Sequence, residues 1–240
     1  MQNSVRSLLL GIFATCTLLI SGYTQAAMIL LYDDFQWSNS SWTMAVNGLG
    51  HDLTSVNSDD GFSSALSTGN WDLVIAQFDD QWHTTASGIL QSFVQTGGRA
   101  IHNHWQNGAD TSFGATVQGW NQSSLSMGPL FSSGLTSSEL SLNNLGYAIF
   151  SRSFSVDNAQ IAATFEDGNA AIVVGNNSRT ILNGFMGETL DLEDEIRLYQ
   201  NQIRFLLNGA TASVPEPAGL ALLALGILIG ARRFCRQSSF

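Results

Sequence analysis

Short apolar runs alternate with polar, helix-like stretches through the first half of the body of this chain. The runs are typical of buried β-strands, and they cover residues 28–32, 51–56, 71–78 and 99–103. Between them, apolar residues recur at intervals of three and four, as in a helix packed on a sheet. In the third helix these are Ala86, Leu90, Phe93 and Val94, and Gly97-Gly98 ends it. This alternation predicts a parallel sheet with right-handed crossovers.

The pattern changes in the second half. Residues 106–146 are rich in Ser, Asn and Gly, so we expect loops and short elements over one edge of the sheet. Four further strands are predicted over residues 147–156, 160–165, 170–174 and 180–185. A final helix over residues 191–208 has a regular apolar stripe, and we expect it to be structural, with no functional site. The predicted fold is therefore α/β: an open, mostly parallel sheet with helices on both faces and extra β-strands in the C-terminal half.

The amino terminus has the three-part layout of a signal peptide. Arg6 precedes a 13-residue apolar run from Leu8 to Ile20, and small residues follow at Thr24, Ala26 and Ala27. We expect residues 1–27 to form the signal peptide, with cleavage after Ala26 or Ala27. A permanent anchor is the alternative, but the run is shorter than the ~20 residues of a membrane span.

The carboxyl terminus predicts a second membrane-directed segment. A linker over residues 209–217 contains Pro215-Glu216-Pro217, and residues 218–240 combine an apolar run with Arg232 and Arg233. Trailing arginines favour the cytoplasmic side, which would leave the bulk of the protein outside. The order of motif, apolar segment and arginines resembles the PEP-CTERM sorting signal. This resemblance implies that an exosortase is a partner and that the protein contacts the inner membrane transiently. It also implies delivery to the cell envelope or extracellular matrix, often together with exopolysaccharide production. The alternative is a plain membrane anchor.

Charge and cysteine content narrow the classes of partner. Residues 28–213 contain 18 Asp or Glu against five Arg, a net charge of −13, and the chain has no lysine. Nucleic acid and anionic lipid need concentrated positive charge, so both are excluded as partners. The cysteines are Cys16 and Cys235, so the body between the predicted end segments folds without disulfides.

Residues 28–208 resemble the class I glutamine amidotransferase-like fold, which is flavodoxin-like, and its ThuA-like branch. The segments that carry the resemblance are residues 69–78, 97–104 and 180–185, the last followed by the final helix. The family's nucleophile is a cysteine that would fall near His102 to His104, where this chain has none. There is no Gly-x-Ser-x-Gly motif either, so neither a Cys-His-Glu triad nor a serine elbow is available. We therefore expect no catalysis of the family's type.

Polar residues follow the predicted strands at the edge where such sheets bind ligands. They are Asp33, Asp34, Asp79, Asp80, His83, His102 and His104. Carboxylate and imidazole together suit a divalent metal, although no tight spacing such as His-Glu-x-x-His is present. The alternative is that the aspartates cap helices and the histidines bind loop backbone, with no cofactor.

Tryptophans near these strand ends are candidates for stacking on sugar rings. They are Trp37, Trp82, Trp105 and Trp120, and the alternative is that they seal loops onto the core. The sequence thus favours an exported, non-catalytic domain that binds a ligand, with polysaccharide as the candidate. The competing hypothesis is a metal-dependent enzyme acting on sugars through the Asp and His residues.

Overall fold

A computed structural model describes residues 26–34, 40–78, 82–104, 110–144 and 151–208. The predicted sorting tail, and the predicted signal peptide up to residue 25, lie outside this part of the chain. Within those ranges, no helix has both the length and the hydrophobicity needed to cross a membrane.

Eleven strands of the described residues join in one sheet. They are β1 (Met28–Asp33), β2 (Asp52–Val56), β3 (Leu73–Gln77), β4 (Ala100–Asn103), β5 (Ala115–Trp120), β6 (Ser124–Met127), β7 (Glu139–Ser141), β8 (Arg152–Val156), β9 (Gln160–Phe165), β10 (Ala170–Gly175) and β11 (Thr180–Asn183). The main order is β2-β1-β3-β4-β11-β10-β9-β6-β7, and β8 joins β10 to β5.

The first five strands of that order, from β2 to β11, are all parallel. In β1, β3, β4 and β11 the residues alternate between two buried faces, so Leu31 and Ile75 point to one core while Leu30 and Val74 point to the other. Burial on both faces explains why these strands are apolar runs rather than alternating ones. The predicted α/β class and open, partly parallel sheet are confirmed.

Four helices of the described residues cover the two faces of the sheet. They are α1 (Ser41–Gly48), α2 (Asp59–Thr68), α3 (Thr84–Gln95) and α4 (Leu192–Asn208). Helices α1 and α4 pack on one face through Trp42 and Tyr199, whose rings stack nearly parallel, 9° apart. Helices α2 and α3 pack on the other face through Phe62 and Leu90.

The structure departs from the sequence pattern mainly in residues 106–146. This polar region supplies β5, β6 and β7 rather than loops and short elements alone. Strand β6 reads Ser-Leu-Ser-Met, and only Leu125 and Met127 are buried. Its antiparallel pairing with β7 and β9 stabilises a strand too short to be distinguished from the surrounding serines by periodicity.

Candidate functional site at the carboxyl edge of the sheet

The last residues of four adjacent parallel strands are polar and buried. Asp33, Gln77, Asn103 and Asn183 end β1, β3, β4 and β11, and they lie directly beside one another in the strand register. Asn183 Nδ2 donates to Asn103 Oδ1 at 2.8 Å, and Asn103 Nδ2 donates to Gln77 Oε1 at 2.8 Å. Gln77 Nε2 reaches Asp33 Oδ1 at 3.4 Å. We call these four residues the polar row.

Helices α1 and α4 close over the polar row with hydrogen bonds of their own. Trp42 Nε1 donates to Gln77 Oε1 at 3.0 Å, and Asn103 donates to the Tyr199 hydroxyl at 2.8 Å. Gln202 exchanges two bonds with Asn183, at 2.8 and 3.1 Å. Because buried amides are costly when unpaired, these bonds fix how both helices sit on the sheet.

Two glutamates extend the polar row toward solvent. Glu188, in the 3-10 turn Gly187–Thr189, accepts a 2.7 Å hydrogen bond from Gln77 Nε2 through Oε1. Its Oε2 is buried and has no hydrogen-bond partner among the described residues. Glu195, in the first turns of α4, is 3% exposed and accepts a hydrogen bond from the Ser41 hydroxyl.

Both glutamates hold protons more tightly than ordinary carboxyl groups. Burial, reinforced by the charge of Glu188, raises the pKa of Glu195 to about 8. Burial likewise raises the pKa of Glu188, and the charge of Asp33 adds to the effect. A pair of coupled carboxyl groups with raised pKa can hold and exchange protons near neutral pH.

An open cleft of about 750 Å³ lies beside these glutamates. Its walls come from the β7 segment and from the residues between the 3-10 turn and α4. Acceptor groups line it at Glu139, Ser141, Asn143, Glu188, Asp191, Asp194 and Glu195, and apolar groups line it at Leu140, Leu142, Leu190 and Leu192. The cleft therefore offers carboxylates, hydroxyls and small apolar surfaces, within reach of the carboxyl edge of the sheet.

A second polar cluster lies on the other face, where β1, α2 and α3 meet. His83 Nε2 bonds Asp34 at 2.8 Å, and His83 Nδ1 bonds Asp59 at 2.8 Å. The Tyr32 hydroxyl donates to Asp59 at 2.7 Å. Burial alone lowers the pKa of His83, but the bond to Asp59 and the charge of Asp34 outweigh it, so the pKa is raised.

The same contacts set the protonation of the partners of His83. Burial alone would raise the pKa of Asp59, but its hydrogen bonds to Tyr32 and His83 lower it overall. Burial and the Asp59 bond raise the pKa of Tyr32. The two carboxylates therefore favour the protonated form of His83, and the cluster joins the starts of α2 and α3 to the end of β1.

The structure divides the predicted rim residues into separate sets. Asp34 and His83 share the cluster just described, whereas Asp33 belongs to the polar row. His102 and His104 are buried, with ring centroids 5.7 Å apart, and His102 Nδ1 lies 3.0 Å from the Ala76 carbonyl. Asp79 and Asp80 lie outside the described residues. Within the described part of the chain, no group of three or more His, Cys, Asp or Glu is arranged to hold a metal ion.

The candidate sugar-stacking tryptophans are exposed where they are described. Trp82 is 77% exposed and Trp120 is 53% exposed. The Arg152 guanidinium carbon lies 3.0 Å from the centre of the Trp120 ring and covers one face of it. Trp37 and Trp105 lie outside the described ranges, so stacking of sugar on these side chains stays a prediction.

Several residues of the site do not follow from the sequence pattern. Glu195 and Gln202 on α4, Glu188 in the turn, and the amides of the polar row belong to this group. One signal does exist: Glu195 and Gln202 fall on the same helical stripe as the buried Leu198 and Leu206. A polar residue in a buried stripe needs a buried partner, so this stripe predicts buried polar contacts for the helix.

Comparisons with known proteins found similarity for the carboxyl-terminal tail and for the folded body. Residues 213–237 match the model of the PEP-CTERM protein-sorting motif. A protein described as a GMP synthase subunit from Thermoplasma acidophilum is similar in structure, with a TM-score of 0.55 and 15% identity over 80% of this chain and 100% of that one. A glutamine amidotransferase from Thermotoga maritima gives a TM-score of 0.47 and 10% identity over 79% of this chain and 100% of that one.

No curated protein matches the sequence. The solved structures are too distant in sequence to show more than a fold. The likeness to the Thermoplasma protein agrees with the α/β arrangement of the sheet, and the motif supports an exported, sorted protein. The chain therefore carries a carboxyl-terminal PEP-CTERM sorting motif, which supports export and sorting by an exosortase, on a body with a flavodoxin-like α/β fold.

Proposed function

We propose that the exported body binds a saccharide, without chemical change, in the cleft beside Glu188 and Glu195. The observation that carries this proposal is the cleft itself, about 750 Å³ of open space at the edge of the sheet where ligands bind in open α/β folds. The ligand would be a polysaccharide of the cell envelope or extracellular matrix, because the sorting motif supports export and we propose that the protein is delivered there.

The chemistry of the cleft suits sugar hydroxyl groups. Carboxylates and hydroxyls such as Glu139 and Ser141 accept hydrogen bonds that sugar hydroxyls donate. Leucines such as Leu140 and Leu190 provide apolar surface for the C–H faces of sugar rings. The several carboxyl groups repel anionic sugars, so the preferred ligand is neutral or carries an amino group.

Export completes the proposal. We infer that a signal peptide within residues 1–27 directs secretion, and that the apolar segment of residues 218–240 holds the precursor in the inner membrane until the exosortase acts. Trp82 and Trp120 would add stacking contacts for a long polysaccharide outside the cleft.

The second candidate is an enzyme acting on sugars, and the carboxyl pair favours it. Glu195 keeps a proton to about pH 8 beside a second carboxyl, as a general acid requires. This candidate differs from metal-dependent chemistry at the Asp and His rim, for which the described residues supply no metal-binding group. The two candidates differ in a single readout, which is whether the bound sugar is cleaved.

The test is calorimetric titration of the purified exported protein with neutral, amino and anionic oligosaccharides. We expect binding of neutral or amino sugars, weakened at least about tenfold in Glu188→Gln, because a lost charge-assisted hydrogen bond costs at least about 1.4 kcal/mol. Glu193→Gln, which changes an exposed glutamate in the first turn of α4, is the matched control. Absence of binding to every sugar, or equal loss in both variants, would contradict the proposal, and release of reducing ends abolished in Glu195→Gln would favour the enzyme.

A further inference from the structure

The first described residues are built into the amino edge of the sheet. The Asp52 main-chain N–H donates to the Ala27 carbonyl at 3.0 Å, which continues the β1–β2 pairing by one residue. The Ala27 main-chain nitrogen donates to His51 Nδ1 at 3.3 Å. The Met28 nitrogen donates to Asp72 Oδ2 at 2.9 Å, and the Asp72 nitrogen donates back to the Met28 carbonyl at 2.9 Å. The folded structure thus engages the chain from Ala27 onward.

A cavity of about 390 Å³ adjoins this point, and residues from both ends of the body line it. Ala26, Ala27, His51 and Asp72 contribute from one side, and Leu207 and Asn208 from the end of α4. The charged groups near His51 are Asp52 and Asp72, with Arg204, and Arg99 lines the same cavity. The charges of these two carboxylates and two guanidinium groups cancel. A new positive charge beside Asp72 would therefore meet no net positive charge.

The sequence points to the same position. Export enzymes that remove signal peptides need small residues one and three positions before the cut. A cut after Ala26 places Ala26 and Thr24 there, whereas a cut after Ala27 would place Gln25 at the outer position. The residue pattern therefore favours Ala27 as the first residue of the mature protein.

We infer that the signal peptide is cut between Ala26 and Ala27 and that the fold then binds the new α-ammonium group of Ala27 through His51 Nδ1, beside the carboxylate of Asp72. Water adds across the peptide bond, leaving a carboxylate on Ala26 and an amine on Ala27, which takes up a proton. An amide donor becomes a charged donor in the same place, and charged hydrogen bonds are stronger than neutral ones. This inference rests on the proposed export.

The composition of the chain makes the test unusually clean. The protein has no lysine, so the α-amine of the mature protein is its only primary amine. An amine-reactive acetylating reagent therefore labels that group alone. Its labelling rate follows the fraction of unprotonated amine, and one unit of raised pKa slows labelling about tenfold.

The experiment uses the full chain, exported and purified. Terminal sequencing should give Ala27 first, and labelling in the folded protein should be about tenfold slower than in urea, corrected for the effect of urea on a free peptide. Asp72→Asn should restore faster labelling, and His51→Gln should do so in part. Asp60→Asn, an exposed carboxylate at the other edge of the sheet, should leave the rate unchanged.

The outcomes separate this inference from the export on which it rests. An uncut precursor would overturn both. A mature protein that starts at Met28 or later, or an α-amine that reacts at the same corrected rate when folded and unfolded, would overturn this inference and leave export standing. If Asp72→Asn fails to fold, acetylation of the α-amine in the wild-type protein still tests the inference. Acetylation removes the captured charge, so it should lower the melting temperature of the protein by about 2 °C or more.

Discussion

Glu195 carries an unusual cost for a residue in the core. Its carboxyl group is buried against Ser41, Tyr199 and Glu188, and its pKa is raised to about 8. The unfolded chain would ionise it near pH 4.3, so between these values the unfolded state has lost a proton that the folded state keeps. Its contribution to stability is therefore complete below about pH 4.3 and is lost as pH rises toward 8.

We predict that Glu195→Gln flattens the pH dependence of the free energy of unfolding over this window. Glutamine is isosteric with the protonated acid and can accept the Ser41 hydrogen bond. The wild-type protein should lose up to about 1.4 kcal/mol per pH unit from this group. Urea denaturation at pH 5, 6.5 and 8 measures the slope, with the exposed Glu193→Gln as control; parallel curves for Glu195→Gln and wild type would contradict the assignment.

The neighbouring aspartates Asp59 and Asp60 form a second matched pair. Asp59 accepts from Tyr32 and His83, whereas Asp60 is exposed. We predict that Asp59→Asn lowers the pKa of His83 and costs about 1 kcal/mol at pH 6, because it removes one of the two carboxylates on the imidazolium. The raised pKa of His83 means that this stabilisation is present below pH 6.5 and is lost as pH rises through the folded value.

Titration of the His83 ring by NMR measures the shift, and denaturation at pH 6 and pH 9 measures the stability. Asp60→Asn should change neither. An unchanged His83 titration in Asp59→Asn would show that Asp34 alone sets the charge of the ring.

At the scale of elements, the 3-10 turn Gly187–Thr189 packs so closely on α4 that there is no room for a side chain at Gly187. A Cβ on Gly187 would overlap the Tyr199 hydroxyl and lie 2.5 Å from Glu195 Oε1. Gly187→Ala must therefore displace the turn, and with it Glu188, from the helix. We predict a loss of about 2 kcal/mol in stability and weakened saccharide binding.

Gly88 in α3 is the matched control for that prediction. A Cβ there would have no heavy atom within 4 Å. Gly88→Ala removes backbone freedom from the unfolded chain and should stabilise the protein by about 0.5 to 1 kcal/mol. Thermal melts of the two variants should thus move in opposite directions, and a Gly187→Ala protein as stable as wild type would show that the turn is not fixed by α4.

The sequence predicts those elements whose burial leaves a regular pattern of apolar residues. Strands such as β1 and β3 are apolar because both of their faces are covered. Helix α3 has an apolar stripe because only one of its faces is buried and the other is exposed to solvent. Strands β5, β6 and β7 are missed because long-range pairing, not local pattern, stabilises them. Helix α2 begins at Asp59, where the Ser58 side chain accepts the Gly61 N–H as its cap.

The site was predictable only in outline. Asp34 and His83 follow their strands and lie close together, as an edge of polar strand ends suggests. Their partner Asp59 begins a helix that crosses back over the sheet, and only the fold brings it within 2.8 Å of His83. The polar residues that α4 contributes to the site could not be predicted for another reason. The apolar stripe from Leu192 to Leu207 predicts a purely structural face, whereas the face that is buried is rotated toward Glu195, Leu198 and Gln202.

At the scale of the whole molecule, the cleft and the ends of the body lie at opposite edges of the sheet. Glu188 follows β11 at the carboxyl edge, whereas Ala27 and Asn208 line the same cavity at the amino edge. A linker that leaves from Asn208 toward a membrane or matrix attachment would therefore leave the saccharide cleft facing away from that attachment. This arrangement suits a domain that is fixed at one edge and binds polymer at the other.

The proposed attachment at that edge would require the sorting motif, and a double substitution in the motif tests this. Replacing Pro215 and Pro217 together by alanine should block tail processing in a host with an exosortase, so that the full-length precursor accumulates in the inner membrane. Proline disfavours the interior of a helix, whereas alanine favours it, so the substitutions change the conformational preference of the motif. Fractionation and intact mass measure the outcome, and Pro129→Ala, which changes the one proline outside the motif, should be sorted normally. Because the substitutions leave residues 28–208 intact, the double variant should still bind saccharide after detergent extraction. A double variant with the same size and location as the wild-type protein would show that sorting does not depend on these prolines.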